Sequence, residues 1–300
     1  MEGLEMPRLI VIFLLLFGLT GCPIMTKSMT KNNKQVTPPE IYEKEGDGSN
    51  PQGFNIALQL YQQQNYSQAA DEFRLIIERH PNHSESHRFL GDCMYNMMEF
   101  EEARRSYDTA YRLNPQNYFA LRGIGFASLY HGYRLFDQLR IDDAHAAFQE
   151  SLTRMQTCLR MRRGDLDAYF GRAMAAEGAS RKLYKNAEDK LTLGDRFAAE
   201  AERRICDQVI NEGLESIEVR IHARDNEVGP FVLKASLLYR RARLYKMFGM
   251  DDEANSLLNG CLATYRKVRE LDPTRAEASI REAESTRELW DQQSARGGRW

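Results

Sequence analysis

Between residues 51 and 293 apolar side chains recur every three or four positions, the spacing of one face of a helix. Alanine, leucine, glutamate and arginine are abundant there, and runs of β-branched residues are almost absent, so the pattern predicts helices and no strands. The clearest stretch begins at Ser84. His87, Leu90, Gly91 and Met94 fall on one face of a first helix, and Gly91, without a side chain, lets a neighbouring helix approach its backbone. Phe100, Ala103, Tyr107 and Ala110 follow on a second helix, the small Ala103 one turn from the ring of Tyr107. Pro115 ends the unit, because proline cannot continue a helix.

The unit recurs. Tyr66, Ala69, Phe73 and Pro81 precede Phe100, Ala103, Tyr107 and Pro115 by 34 residues each, and Gly125 follows Gly91 by 34. A fixed period of this size marks an array of repeats. The first repeat covers residues 51–83, with helices near 52–64 and 67–79; the second covers 84–117. The third begins with Tyr118, Leu121, Ile124 and Gly125. Its Ala144 and Phe148 come 41 residues after Ala103 and Tyr107, a surplus of seven. Seven residues are close to two helical turns, which implies longer helices with unchanged facing.

In the fourth repeat Phe170, Gly171 and Met174 mark the first helix. Residues 180–194 then read as an interruption before a helix starting near Asp195, and residues 203–220 read as helix broken near Gly213. The fifth carries Leu238, Ala242, Tyr245, Gly249, Ala254, Leu258 and Cys261, and its Leu271-Asp272-Pro273 ending again falls seven residues late. Ala276, Ile280, Ala283 and Trp290 share one stripe, which predicts a capping helix with its other face in water. Residues 294–300 read as a flexible tail.

This period, and this order of glycine, alanine, aromatic and proline positions, resembles the tetratricopeptide repeat. The resemblance covers about residues 51–293, tightly in the first two repeats and more loosely afterwards. It implies an all-α fold: an α-solenoid of about five helix-turn-helix repeats with a C-terminal capping helix. It also implies protein or peptide partners. In that family the first helices line a concave groove. Matching positions place Tyr61 from the first repeat there, and Arg88, Asp92, Tyr95 and Asn96 from the second. Arg122, Phe126 and Tyr130 follow from the third, Arg172 from the fourth, Tyr239 and Arg243 from the fifth. Arginine beside aromatic rings is the composition of binding hot spots. The paired lysine and asparagine positions of repeats that clamp a chaperone's terminal carboxylate are missing.

The N-terminus has a different texture. Residues 9–19 (LIVIFLLLFGL) are an 11-residue apolar run, short for a bilayer span and of the length of a signal-peptide core. Leu19-Thr20-Gly21-Cys22 then resembles a bacterial lipobox. That implies a signal at residues 1–21 and a mature chain starting at a lipidated Cys22; an ordinary cleaved signal or a short uncleaved anchor is the rival reading. Pro23 stands where an aspartate often retains such proteins in the inner membrane. The expected address is the outer membrane facing the periplasm, with the inner membrane and the cell surface as alternatives. The acidic residues of 1–5 suit a signal poorly, and a start at Met6 would give Met-Pro-Arg before the apolar run. Residues 22–50, rich in lysine, proline and glycine, read as a disordered tether.

Composition narrows the chemistry. Charged residues make up 28% and the formal net charge is −2, which gives no reason to expect nucleic-acid binding. Cys22, Cys93, Cys158, Cys206 and Cys261 form no CxxC pair, and Cys261 falls on a packing position. His80, His83 and His87 are spaced to converge on a metal. Local tasks suit them better: His80 ends a helix, His83 lies in the turn and His87 replaces a packing aromatic. No nucleophile–base set stands out, so the chain reads as a non-enzymatic scaffold without a cofactor. A permanent structural subunit of an envelope complex and a metal- or ligand-binding enzyme are the competing classes.

Overall fold

The computed structural model describes residues 51–295. The segments expected as signal, lipobox with Cys22 and tether lie outside the described residues, as does the end of the expected tail. Every regular element among the described residues is an α-helix. In chain order these are α1 (Phe54–Gln62), α2 (Tyr66–Arg79), α3 (Ser84–Asn96), α4 (Phe100–Leu113), α5 (Tyr118–Asp137), α6 (Ile141–Met161), α7 (Leu166–Thr192), α8 (Arg196–Ala223), α9 (Val228–Met247), α10 (Asp251–Leu271) and α11 (Glu277–Ala295). Successive pairs form five antiparallel hairpins stacked into an α-solenoid, and α11 closes its end.

Each hairpin turns through one motif. After α3, the N–H of Met98 donates to the Tyr95 carbonyl (3.0 Å) and that of Glu99 to the Met94 carbonyl (2.9 Å). Met98 is left-handed, φ 62°. This Schellman turn satisfies carbonyls that a helix end leaves unpaired. Gln64, Leu139, Gly194 and Gly249 occupy the same left-handed position in the other hairpins. At the entries to α5 and α7, side chains cap the incoming helix. Asn117 accepts from the Ala120 N–H (3.0 Å), and Asp165 accepts from the N–H groups of Asp167 and Ala168 (2.8 and 2.9 Å).

Helix lengths change in fixed steps. The first helices α3, α5, α7 and α9 have 13, 20, 27 and 20 residues; their partners α4, α6, α8 and α10 have 14, 21, 28 and 21. Each step is seven residues per helix, about 10 Å of height. The hairpin tip of the fourth repeat therefore stands furthest out. Two sequence expectations are corrected here. Residues 180–192 continue α7, with Leu183 and Ala187 buried, and α8 runs unbroken through Gly213. Gly213 is a contact point: a Cβ there would lie 2.8 Å from the Ala176 Cβ and 3.2 Å from Leu237.

The core is built in layers. In three places a large side chain on a second helix fills the space between two glycines, one on its own first helix and one on the next. Tyr107 lies between Gly91 and Gly123, where an added Cβ would approach its ring to 2.7 Å on either side. Met155 lies between Gly125 and Gly171 (2.8 Å each), and Phe148 between Gly132 and Gly178 (2.8 and 2.6 Å). The last two layers are seven residues apart along every helix, so each added pair of turns adds a layer.

Phe89 is a core residue that the sequence pattern passed over. It stacks on Phe73 (5.4 Å, 6°) and meets Phe54 and Tyr61 edge-on. Leu90, expected on that face, packs only partly against the same cluster. Ile280, Ala283 and Trp290 of α11 are buried against the fifth repeat. So is Ala276, which precedes the helix in a left-handed conformation (φ 60°) and does not share its stripe as the spacing suggested.

Candidate partner-binding face

From α1 to α9, consecutive first helices touch one another, whereas consecutive second helices make no comparable contact among the described residues. The row of first helices is therefore the inner side of the curve. It holds the eleven residues that position-matching selects, and the structure divides them by what they touch.

Arg88 is buried, only 2% exposed, and is not open to a partner as its repeat position suggested. Its Nε donates to Glu85 (2.8 Å), its Nη1 donates to Asp92 (2.7 Å), and its guanidinium lies over the Phe89 ring (3.7 Å). Asp92 also accepts from the Tyr107 hydroxyl (2.6 Å). Burial pushes the Asp92 carboxyl above its ordinary range, against the pull of Arg88 and Tyr107. Asn96 donates to the Asp92 carbonyl (2.7 Å), and Asn117, the N-cap of α5, reaches back to Glu85 (2.7 Å). The second repeat's polar residues thus form a closed network inside the solenoid.

Arg122 pairs with Asp165 (3.2 Å), which also accepts from the Tyr118 hydroxyl. Burial opposes the charge on Asp165, but the Tyr118 hydroxyl, the Ala168 N–H and Arg122 outweigh it and hold the carboxyl below its usual range. Arg172 reaches Glu212 (2.8 Å) and Ser216 (3.1 Å). These guanidiniums have one edge toward the inner face, but carboxylates of their own chain neutralise them.

The rings are half-buried. Tyr61 meets Tyr66 edge-on, and Tyr95, Phe100 and Tyr130 form a cluster with centroids 5.5–5.6 Å apart. Phe126 packs against the bare backbone of Gly171, where a Cβ would meet its ring at 3.0 Å. Tyr95, Phe126 and Tyr130 thus line the seams between neighbouring first helices and leave one edge to the inner face. Tyr239 is held by the capping helix, its hydroxyl hydrogen-bonded to Thr286 (2.8 Å) and Glu282 (3.1 Å).

Arg243 stands apart. It is exposed and lies near the rings of Tyr184 (5.4 Å) and Tyr239 (5.9 Å), and among the described residues it makes no ion pair. Beside it is a cluster that sequence reasoning missed. Glu177, 3% exposed, is shared between Arg240 (2.7 Å) and Arg181 (3.2 Å). Burial opposes its charge, but Arg181 and Arg240 outweigh that and keep it below the ordinary glutamate range. Arg181 also lies over Phe136 (4.7 Å). Reading 180–194 as an interruption hid this cluster. The Glu177–Arg181 spacing of four was the available signal.

The other chemical candidates have structural tasks. His83 caps α3 by accepting from the Ser86 N–H (3.2 Å), and His87 Nε2 bonds the Pro81 carbonyl (2.9 Å). His80 is the C-cap of α2. Cys93, Cys158, Cys206 and Cys261 are buried free thiols in four separate core clusters, and burial pushes each thiol up to about 12.

Residues 54–118 match the tetratricopeptide repeat family. Similar solved structures include MamA from Desulfovibrio magneticus RS-1, 13% identical, covering 74% of this chain and 94% of that one with a TM-score of 0.43. YrrB, described as a TPR protein with an unusual peptide-binding site, is 12% identical, with coverage of 83% and 93% and a TM-score of 0.47. A thermophilic TPR protein from Thermus thermophilus, TTC0263, is 15% identical, with coverage of 78% and 97% and a TM-score of 0.39. No curated protein matches the chain.

Proposed function

We propose that this chain is a non-enzymatic scaffold of the tetratricopeptide kind that binds an extended protein or peptide segment along its inner face. The observation that carries the reading is the continuous row of first helices with the half-buried Tyr95, Phe126 and Tyr130 at its seams. Rings held by packing lose little freedom on binding and suit the anchor positions of an interface. We extend the proposal to a bacterial lipoprotein tethered through Cys22, working in envelope or secretion-machine assembly at the outer membrane. The apolar run and LTGC at residues 9–22 support that address.

Photo-crosslinkers placed at Tyr95 and Tyr130 in intact cells test the face. Both are expected to trap the same partner, and a crosslinker at Glu102, exposed on α4, is expected to trap none. Equal trapping at Glu102 would remove the inner-face reading. A trapped complex of fixed stoichiometry that survives high salt would identify a permanent subunit instead of an exchanging scaffold. Cys22→Ser is expected to abolish fatty-acid labelling and release the protein from membranes; a variant that still labels would remove the lipobox reading.

A further inference from the structure

Along the inner face the balance of charge changes. In the second and third repeats the two buried or half-buried guanidiniums at the matched positions are paired with carboxylates: Arg88 with Glu85 and Asp92, and Arg122 with Asp165. Between α7 and α9 one buried carboxylate, Glu177, serves two guanidiniums, and a third guanidinium, that of Arg243, stands beside them. Arg181 and Arg240 both lean on Glu177, and Arg243 is flanked by phenol rings. Two more acids lie within electrostatic reach of Arg243: Glu188, which pairs with Lys185 (2.9 Å), and Glu282, which accepts from Tyr239 (3.1 Å).

We infer that Arg181, Arg240 and Arg243, walled by Tyr184 and Tyr239, form an anion subsite on the inner face that takes side-chain carboxylates of an acidic partner segment. The inference rests on the inner face being the binding face. Glu177 lies at the floor, while the side chains of Arg181 and Arg240 remain 19% exposed and Arg243 is open, so the positive edges face outward. Donors outnumber acceptors: the Arg240 Nε is buried without an acceptor. Burial disfavours the charge of Arg240, and the neighbouring Arg181 and Arg243 add to that cost, which Glu177 only partly offsets. An incoming carboxylate supplies the missing negative charge. Planar guanidiniums set against rings present paired N–H groups in a fixed direction, the geometry that grips a carboxylate with two bonds.

The test uses the full chain in detergent and a labelled, C-terminally amidated peptide of alternating glutamate and leucine. Its twin replaces every glutamate with glutamine. Fluorescence anisotropy is expected to show the glutamate peptide binding about ten-fold tighter, with the preference fading as salt is raised. Arg243→Glu is expected to erase the preference, and it also sets a like charge near Glu188 and Glu282. Arg243→Gln, which removes the charge without adding one, is the variant expected to weaken the preference with little change in melting temperature. Arg243→Lys is expected to keep part of the preference. Equal affinity for the two peptides, or a preference that survives Arg243→Glu, would overturn the subsite. If both peptides bind alike and both weaken in Phe126→Ala, the subsite fails and the inner-face reading stands. If neither peptide binds and Tyr95 and Tyr130 trap no partner in cells, both fail.

Discussion

The second repeat holds one ring, Tyr107, between Gly91 and Gly123; the third and fourth repeats share two such layers, around Met155 and Phe148. The hairpins differ in height by whole pairs of turns, yet their packing rule is the same. What differs is the polar content. Next to Tyr107 the buried charges pair off, with Asp92 accepting from both Arg88 and the ring's hydroxyl. Next to the Phe148 layer, one carboxylate serves two guanidiniums. Height was added without disturbing the apolar layers, and the added inner surface gained a net positive patch.

Glu177 is where this contrast breaks most sharply. Glu177→Ala would leave Arg181 and Arg240 facing each other and is expected to cost about 3–5 kcal/mol, the usual effect of stranding buried charge. Hydrogen exchange is expected to rise in α7 to α9 while α1 to α4 stay protected. Acid should do the same more gently. The Glu177 carboxyl sits below its ordinary value of 4.5, so its contribution is whole above that value and is lost as the pH falls through its lower folded value. Asp92 has the opposite sign. Its folded value lies above 3.8, so on acidification the native state takes up that proton before the unfolded chain does, and the site gains stability. Exchange measured through the carboxylate range is expected to show the α7–α9 seam loosening before the α3–α4 seam. The reverse order would sink the comparison.

A smaller effect sharpens the shared rule. Gly91→Ala and Gly178→Ala would place a Cβ 2.7 and 2.6 Å from the rings of Tyr107 and Phe148, and each is expected to cost about 1–3 kcal/mol. Phe148→Leu in the Gly178→Ala background should cost less than the two separate losses added together, because the smaller side chain makes room. Strictly additive losses in thermal melts would show that glycine and ring do not share a layer.

The smallest effect lies at the tips. Leu139 is left-handed (φ 61°) and 62% exposed, so Leu139→Gly is expected to stabilise by about 0.5 kcal/mol. Gly194→Ala at the equivalent position should destabilise by about 1 kcal/mol. The reverse signs in denaturant unfolding would mean that side-chain packing, not backbone conformation, governs the tips.

The 34-residue period, the seven-residue surplus and the small–large alternation of Gly91, Ala103 and Tyr107 were legible in the sequence because each depends on local spacing. The fourth repeat was not. Residues 180–194 look too polar for a core helix, since only Ser180, Leu183 and Ala187 are buried there while Arg181 and Tyr184 turn to the inner face. Gly213 imitates a helix stop, and only its contact with Ala176 and Leu237 reveals why it is there. The fate of the face residues was hidden for another reason. Arg122 meets Asp165, Arg172 meets Glu212 and Arg240 meets Glu177 across different helices, distances along the chain that no motif encodes. Repeat position told which helix face a residue occupies, and not whether a neighbour had already claimed it.

The steps in helix length set the grammar by which such a chain can grow. Seven residues bring a helix round by two turns with a slip of only about 20°. A duplication of seven residues on each side of a tip such as Gln138-Leu139-Arg140 therefore lengthens the hairpin and leaves every deeper side chain in register. An insertion of five, or of seven in one arm of the hairpin alone, would swing rings into water or push one helix past its partner. Tall and short hairpins in this protein are thus words of one alphabet, and recombination at the tips could rewrite the height of a repeat while the layers below it are inherited intact.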